Sequence, residues 1–424
     1  MALLMKRIDH RDGILSWLTL LASVFITACS CGFLNIFGIC YTYFLERFDN
    51  SKEKTAWTGS LPTSLMFVLG PVSCWIINKA GLRLCTMIAA LLVSLSLLMT
   101  SFATNLDLVF ISFSVPFGLG SSVLLMASVK SVCIYFDKWL SLAYGLQTGC
   151  VALLQAGFSS LLVLLLKEVR FERTFQILSA VFLVICLAGG LTFCPTSYEV
   201  DKDEPEKKTT NFQIYFKLLK NKKICIFLVA NFIVSFAYGV SSIHQVQLAI
   251  EKGVQVSTAK LFPVFSSISC GLGRICCGFL LDLKVQKKIA FYQLVMFLTG
   301  LTCFLGLFAT TEVHLIAYIW IYSALDGMVQ TCCTPCLRTI TGLTFLGEAY
   351  SMVLTVDAVS LLLGPPLVGL VVEKTRSYNA FFYMSGAPYI AAFIELFLIR
   401  FVVSLSQDET SSDKRERENE EQLL

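Results

Sequence analysis

Charge is what this 424-residue chain has least of: Asp, Glu, Lys and Arg make up 15% of it, against 56% hydrophobic residues. With a mean hydropathy of +0.74, that composition excludes a soluble domain of this length, whose surface would need far more polar side chains. Catalytic and nucleotide-binding motifs are missing as well. The sequence has no P-loop, no His-Glu-x-x-His, no Gly-x-Ser-x-Gly and no Gly-x-Gly-x-x-Gly, which argues against an enzyme and against an ATP-driven pump. The glycine pairs Gly118 with Gly120 and Gly271 with Gly273 fall inside apolar runs, where close helix packing accounts for them. Seventeen cysteines are present, but they lie inside apolar runs as small packing residues, for example Cys29, Cys31, Cys40, Cys276 and Cys277. The group Cys332, Cys333 and Cys336 lacks the second Cys or His cluster that a tetrahedral metal site needs. No metal and no cofactor is implied. The first apolar stretch has no small-residue cleavage site followed by a polar start, so it reads as a spanning helix and not a removable leader.

What is there is a run of apolar stretches, each long enough to cross a bilayer core of about 30 Å at a rise of about 1.5 Å per residue. Twelve are read, at 14–37, 56–78, 83–103, 107–130, 139–165, 174–195, 223–249, 260–281, 289–310, 314–340, 349–372 and 379–402. They group six and six around one charged interval from Tyr198 to Lys223. The expected fold is an all-α membrane protein with twelve transmembrane helices in two six-helix bundles. The expected organisation is an N-terminus at 1–13, bundles at 14–195 and 223–403, a linker at 196–222 and a tail at 404–424.

Net charge, +4, decides little here; which loops hold the bases decides orientation. The side that holds both termini takes about two thirds of the Lys and Arg, which predicts cytoplasmic termini. Its bases include Lys6, Arg7, Arg11, Lys79, Arg83 and Lys138, then the lysines between Lys202 and Lys223, then Lys284, Lys287 and Lys288. Around Phe212, Ile214, Tyr215 and Leu218 the linker turns amphipathic, a pattern suited to lipid headgroups. The tail from Gln407 to Leu424 alternates acids and bases and reads as disordered.

Two bundles about a cytoplasmic linker are the layout of the major facilitator superfamily, whose halves rock about a midplane site. The turn Asn78-Lys79-Ala80-Gly81-Leu82-Arg83 is similar to that superfamily's loop between helices 2 and 3. There a polar residue ends the helix, Gly81 permits the tight turn, and the bases meet acids or helix C-termini of the other half. Gly278 to Asp282 is a partial echo in the second half. Asp12-Gly13-Ile14-Leu15-Ser16-Trp17 resembles the first signature of the monocarboxylate transporter family, although Ile14 and Leu15 depart from its Gly and Trp. Tyr135-Phe136-Asp137-Lys138, followed by Leu142, Ala143 and Gly145, resembles the second, with Trp139 and Leu140 in place of its basic pair. The resemblance continues through Tyr238, His244, Gly364-Pro365-Pro366-Leu367, Gly369, Tyr378, Phe381 and Gly386, and so covers essentially the whole chain. Structural roles follow for the signatures. Asp12 is placed to stabilise a helix N-terminus, Trp17 to anchor at the interface, and Lys138 to meet carbonyls or lipid phosphates.

Ionisable residues inside apolar stretches carry the substrate question, because each costs about 2.5–3.5 kcal/mol on insertion scales and so faces a cavity or a partner. Arg274 stands first, since a guanidinium can grip a carboxylate through two parallel hydrogen bonds. The resemblance assigns an Arg at this position to the anion, an Asp one turn earlier to proton coupling, and a Lys on helix 1 to the same machinery. This chain has Cys270 and Asn35 at those two positions. Asp326 and Asp357 are expected either to neutralise Arg274 or to take up a proton, and His244 either to relay one or to be a hydrogen-bonded residue of helix packing. Lys130 is expected to snorkel to the interface.

The leading expectation is a facilitative carrier for a small organic anion or amino-acid-like zwitterion in the plasma membrane. A proton-coupled lactate or pyruvate carrier with substitute residues is the second reading, and a sensor or scaffold without flux the third. Expected partners are the small-molecule substrate, the lipid bilayer and, by the resemblance, a single-span glycoprotein chaperone; nucleic acid is not among them.

Overall fold

The computed structural model describes residues 12–48, 52–193, 211–259, 261–283, 287–343, 345–375 and 379–398. The basic N-terminus, the acidic part of the linker and the tail lie outside them. Helices follow the twelve expected stretches: α1 (Ile14–Asn35, continued by Gly38–Phe48), α2 (Lys52–Val68 with Gly70–Ala80), α3 (Leu82–Thr100), α4 (Leu106–Tyr135), α5 (Leu140–Glu168) and α6 (Phe171–Thr192). The second half contains α7 (Lys222–Glu251), α8 (Phe262–Asp282), α9 (Lys288–Gly306), α10 (Glu312–Thr341), α11 (Leu346–Thr375) and α12 (Asn379–Glu395). A linker helix, Asn211–Leu219, precedes α7. Nine of these are long and apolar enough to cross a membrane, ten when the two parts of α2 count as one span. The others are α10, which carries Asp326, Gln330 and Arg338, and α12, of 17 residues. The chain is an all-α, multi-pass membrane protein built from two six-helix bundles.

Helix boundaries follow local chemistry. Asn105, Asn221 and Thr311 each cap the helix they precede, accepting a hydrogen bond from Leu108, Lys223 and His314 at 2.8, 3.0 and 3.3 Å. Gly81, between α2 and α3, takes φ +88°, a backbone that a side chain disfavours and glycine adopts freely. The sequence reading missed three distortions. α2 bends by 54° where Pro71 follows Gly70, because proline cannot donate to the turn behind it. α4 carries a π-helical stretch at Phe110–Ser114 just before Pro116, and α1 carries another at Ala28–Gly32, then breaks at Ile36 and Phe37 and resumes to Phe48. Extra residues of this kind rotate a helix face locally and recur at functional sites.

The outside of the bundle is apolar. On α3, Leu84, Ile88, Leu91 and Leu95 form one stripe, each more than half exposed, and Leu294, Leu298, Leu301 and Leu305 make the matching stripe on α9. Such faces persist only against hydrocarbon. Inside, where burial of apolar surface drives nothing, hydroxyls and small residues join the helices. Ser23 meets Ser131, Ser73 meets Ser122, and Ser266 meets Ser323, each at 2.8 Å.

Between the halves the closest approach is α5 against α8. A Cβ on Gly145 would stand 2.6 Å from the Arg274 carbonyl oxygen, one on Gly149 2.7 Å from that of Gly271, and one on Gly278 2.6 Å from that of Ser141. Backbone is the obstacle in each case, so the helices would have to separate. We expect Gly278→Ala to destabilise the solubilised protein by about 1–3 kcal/mol, read as a lowered thermal midpoint, while Gly157→Ala on the same α5, with open space at its Cβ, leaves that midpoint unchanged.

Candidate functional site

Arg274 sits on α8 about 12 Å below its end, at about 1.5 Å per residue. Its Nη1 donates to the Thr148 carbonyl on α5 at 3.2 Å, and its Nη2 donates to Gln330 Oε1 on α10. The same Gln330 amide donates through Nε2 to Asp326 Oδ2 at 2.7 Å, and Tyr389 on α12 donates to Asp326 Oδ1 at 2.6 Å. A cation and a carboxylate are therefore joined through one neutral amide, without an ion pair between them. The Arg274 Nε is buried and donates to no protein acceptor among the described residues. Since a guanidinium has five N–H groups in a fixed fork, the arrangement leaves donor capacity beside contacts that touch both halves of the protein.

The other expected residues divide. Cys270 lies one turn before Arg274, and Tyr238 on α7 and Cys31 on α1 are also within electrostatic reach of the guanidinium. Asn35 closes the π-distorted part of α1, its Nδ2 set 3.8 Å from Cys31 Sγ. Cys270, Tyr238 and Cys31 come together around Arg274, and Asn35 touches that group through Cys31. Asp357 does not: it accepts a hydrogen bond from Ser235 on α7 at 2.6 Å and makes no ion pair with Arg274. Of the two carboxylates expected to balance Arg274, only Asp326 is placed to do so. The His244 side chain lies outside the described residues, as do the side-chain surroundings of Gly364, Pro365 and Pro366 on α11.

A second constellation closes the end of the bundle where α2 turns into α3 and the linker helix docks, called here the linker face. Asp12, at φ +65°, takes a left-handed backbone that Asp tolerates better than most residues. Its amide donates to the Tyr135 carbonyl at 3.1 Å, and its carboxylate accepts from the backbone N–H groups of Asp137, Lys138 and Trp139 at 3.4, 3.0 and 3.1 Å. It thus stabilises the start of α5 and not that of its own α1, whose N-cap is Gly13 and has no side-chain cap. Trp17 meets Phe136 edge-on at 5.2 Å, and the Lys138 ammonium lies over the Trp139 ring at 5.1 Å. The two signatures, distant in sequence, are two sides of one junction.

Contacts across the halves gather at this face. Asp282 at the end of α8 accepts from the Leu142 N–H at 2.7 Å, Arg338 pairs with Asp137, and Lys288 donates to Ser141 at 3.4 Å. Asn78 does not end its helix; it lies inside α2 and donates to Glu348 on α11 at 2.8 Å. Lys130 does not snorkel, because its ammonium donates to Asn78 Oδ1. Deeper, the hydroxyls of Tyr144 and Tyr350 lie 3.1 Å apart. Arg83 is exposed, with no ion pair among the described residues.

The sequence reading missed Gln330, Tyr389, Thr148, Glu348 and Arg338. Gln330 was visible as an amide one turn after Asp326 in a membrane helix, a spacing that puts both on one face. Tyr389 and Thr148 carry no such signal, since their roles come from helices brought close by the fold.

The family model for the Major Facilitator Superfamily matches residues 23–345 and 265–423. The chain belongs to the Major Facilitator Superfamily. Among its relatives, Monocarboxylate transporter 10 of Mus musculus is 24% identical over 440 residues, covering 97% of this chain and 85% of that one. Monocarboxylate transporter 12 of Xenopus laevis is 25% identical over 94% of this chain and 92% of its own, and Monocarboxylate transporter 4 of Gallus gallus is 25% identical over 92% and 84%. In fold, the chain is similar to FucP, a transporter of this superfamily crystallised in the outward conformation, with a TM-score of 0.74 at 14% identity over 90% of this chain and 98% of that one.

In this Major Facilitator chain the Arg338 and Asp137 pair offers a direct check of the closed face. We expect Arg338→Asp to speed hydrogen exchange of the backbone at 137–142, and the exchanged pair, Arg338→Asp with Asp137→Arg, to restore at least half of the lost protection. A half-exposed pair is worth only about 1 kcal/mol or less, so the effect expected is a few-fold, read by mass spectrometry.

Proposed function

We propose that this superfamily member moves a small organic acid anion, or an amino-acid-like zwitterion, by alternating access, with Arg274 as the carboxylate site. The observation that carries the reading is the bridging position of Arg274, which bonds Thr148 of one half and Gln330 of the other. A carboxylate arriving there competes with the Thr148 carbonyl for the guanidinium and so changes a contact between the bundles; differential contacts of that kind are what a ligand needs to shift two conformations. The names of the relatives, monocarboxylate transporters, agree with an anion. By the basic bias of its loops the linker face is cytoplasmic, as are both termini, and the closed face then leaves the site to be entered from outside the cell. The reading includes plasma-membrane residence and, from the resemblance, a single-span glycoprotein chaperone.

Facilitated diffusion is the form proposed. At the positions that resemble the family's coupling Lys and Asp stand Asn35, which does not titrate, and Cys270, a thiol whose ordinary pKa is near 8.5. Proton-coupled transport is the second reading, favoured by the Asp326 carboxylate standing one amide away from Arg274.

Reconstitution in liposomes tests both. Arg274→Lys keeps the charge and loses the planar fork, so uptake of labelled monocarboxylates should fall by about tenfold or more, a loss of about 1.4 kcal/mol of differential stabilisation, with the protein folded and inserted. Normal uptake by that variant would remove Arg274 from the mechanism. An imposed inward proton gradient should produce no accumulation above equilibrium. Accumulation that Asp326→Asn abolishes, with exchange retained, would establish the second reading in its place.

A further inference from the structure

We infer that the linker helix, Asn211–Leu219, is a docking surface for anionic phospholipid headgroups and a strap that holds the linker face closed. Three observations converge on it. Leu218 is buried and Ile214 and Tyr215 are partly buried, forming the side laid against the bundle, while Phe216 and Leu219 remain 65% and 48% exposed. Residues 211–223 contain Lys217, Lys220, Lys222 and Lys223 and no acid. The helix leads within three residues into α7, which starts at Lys222; that places it at the level where a spanning helix enters the bilayer. Exposed apolar side chains beside lysines on a surface helix fit the headgroup region, where each base gains from negative lipid and each apolar group from the acyl boundary.

The strap is Tyr215. Its hydroxyl donates to the Pro71 carbonyl of α2 at 3.1 Å and lies 3.3 Å from Ser351 Oγ of α11. One phenol therefore touches both halves, in the region where Asn78 and Glu348 also meet. Burial raises the Tyr215 phenol above its ordinary range, so it remains a neutral donor. The Lys217 ammonium lies over the Phe345 ring, 5.7 Å from its centre, and adds a contact to the segment that opens α11. Headgroups that hold the helix down stabilise the contacts made by Tyr215, so negative lipid shifts the protein toward the closed linker face. The α2 and α11 ends cannot part while one residue is bonded to both.

The test reads hydrogen exchange of the full-length protein in nanodiscs of phosphatidylcholine, with and without phosphatidylserine, and needs no substrate, so its failure is separate from failure of the transport reading. Phosphatidylserine should slow exchange over 213–220 by about fivefold, the effect of about one engaged lysine, and also slow it at 346–351. Replacing Lys217, Lys220, Lys222 and Lys223 together by Gln should abolish both responses. Tyr215→Phe should keep the first and lose the second, with an unchanged melting midpoint showing that the fold is intact. Equal exchange in the two discs, or an unaltered response after the four replacements, overturns the lipid assignment. The same protection in neutral discs with inorganic phosphate reassigns the surface to soluble anions, and a Tyr215→Phe variant with both responses intact overturns the strap.

Discussion

A guanidinium set partly buried between two halves of a protein must be given acceptors by those halves, and the rest of the site follows from how that is done. Arg274 has the Thr148 carbonyl and the Gln330 amide oxygen as acceptors, both neutral, while its balancing carboxylate, Asp326, is held one amide further off by Gln330 and Tyr389. Direct contact between the two charges would give a tight internal ion pair. Desolvated pairs of that sort are costly to break, because each partner is left uncompensated. An amide between them weakens the hold on the guanidinium without removing the negative field that compensates its charge. Under the proposed function, a carboxylate ligand would displace a neutral acceptor and gain the stronger, charge-assisted bonds.

The same device recurs at the linker face. Lys130 donates to Asn78, and Asn78 donates to Glu348 across the halves, so a cation on α4 and a carboxylate on α11 are again joined through an amide. Near it, carboxylates are used differently: Asp12 and Asp282 both accept from backbone N–H groups at the start of α5. One comes from each half, which makes the α5 N-terminus a shared post. Negative charge is favoured there by the helix dipole, and the Asp282 contact breaks whenever the halves separate at this face. The glycine seam of α5 and α8 brings that post within reach, since Gly145 and Gly278 permit backbone contact that a Cβ would forbid.

Much of the architecture was legible because its physics is local. Stretches of bilayer length mark helices, and most of their observed ends lie within a few residues of the expected ones. The departures have causes that run against counting apolar residues: Pro71 bends α2, Pro116 follows the π stretch of α4, and α1 breaks after Asn35 and continues to Phe48. At the site, Arg274 and Asp326 stood out as charges in apolar surroundings, and the structure links them. Asp357 stood out for the same reason and lies elsewhere, bonded to Ser235. Burial cost shows that a charge needs a partner; it does not say which. Asp12 was readable as a cap, but the helix it caps begins more than a hundred residues later, and only the folded chain connects them.

Recognition of a carboxylate by the guanidinium of Arg274 is the proposal on which the transport reading rests. It is tested most directly by competition between isosteric ligands in liposomes: uptake of a labelled monocarboxylate, challenged with an unlabelled acid and with the primary amide of that same acid. The account predicts that the acid competes and the amide, lacking the charge and the second acceptor oxygen, does not. Equal inhibition by acid and amide would contradict it, since a site that ignores the carboxylate makes no use of the guanidinium's charge.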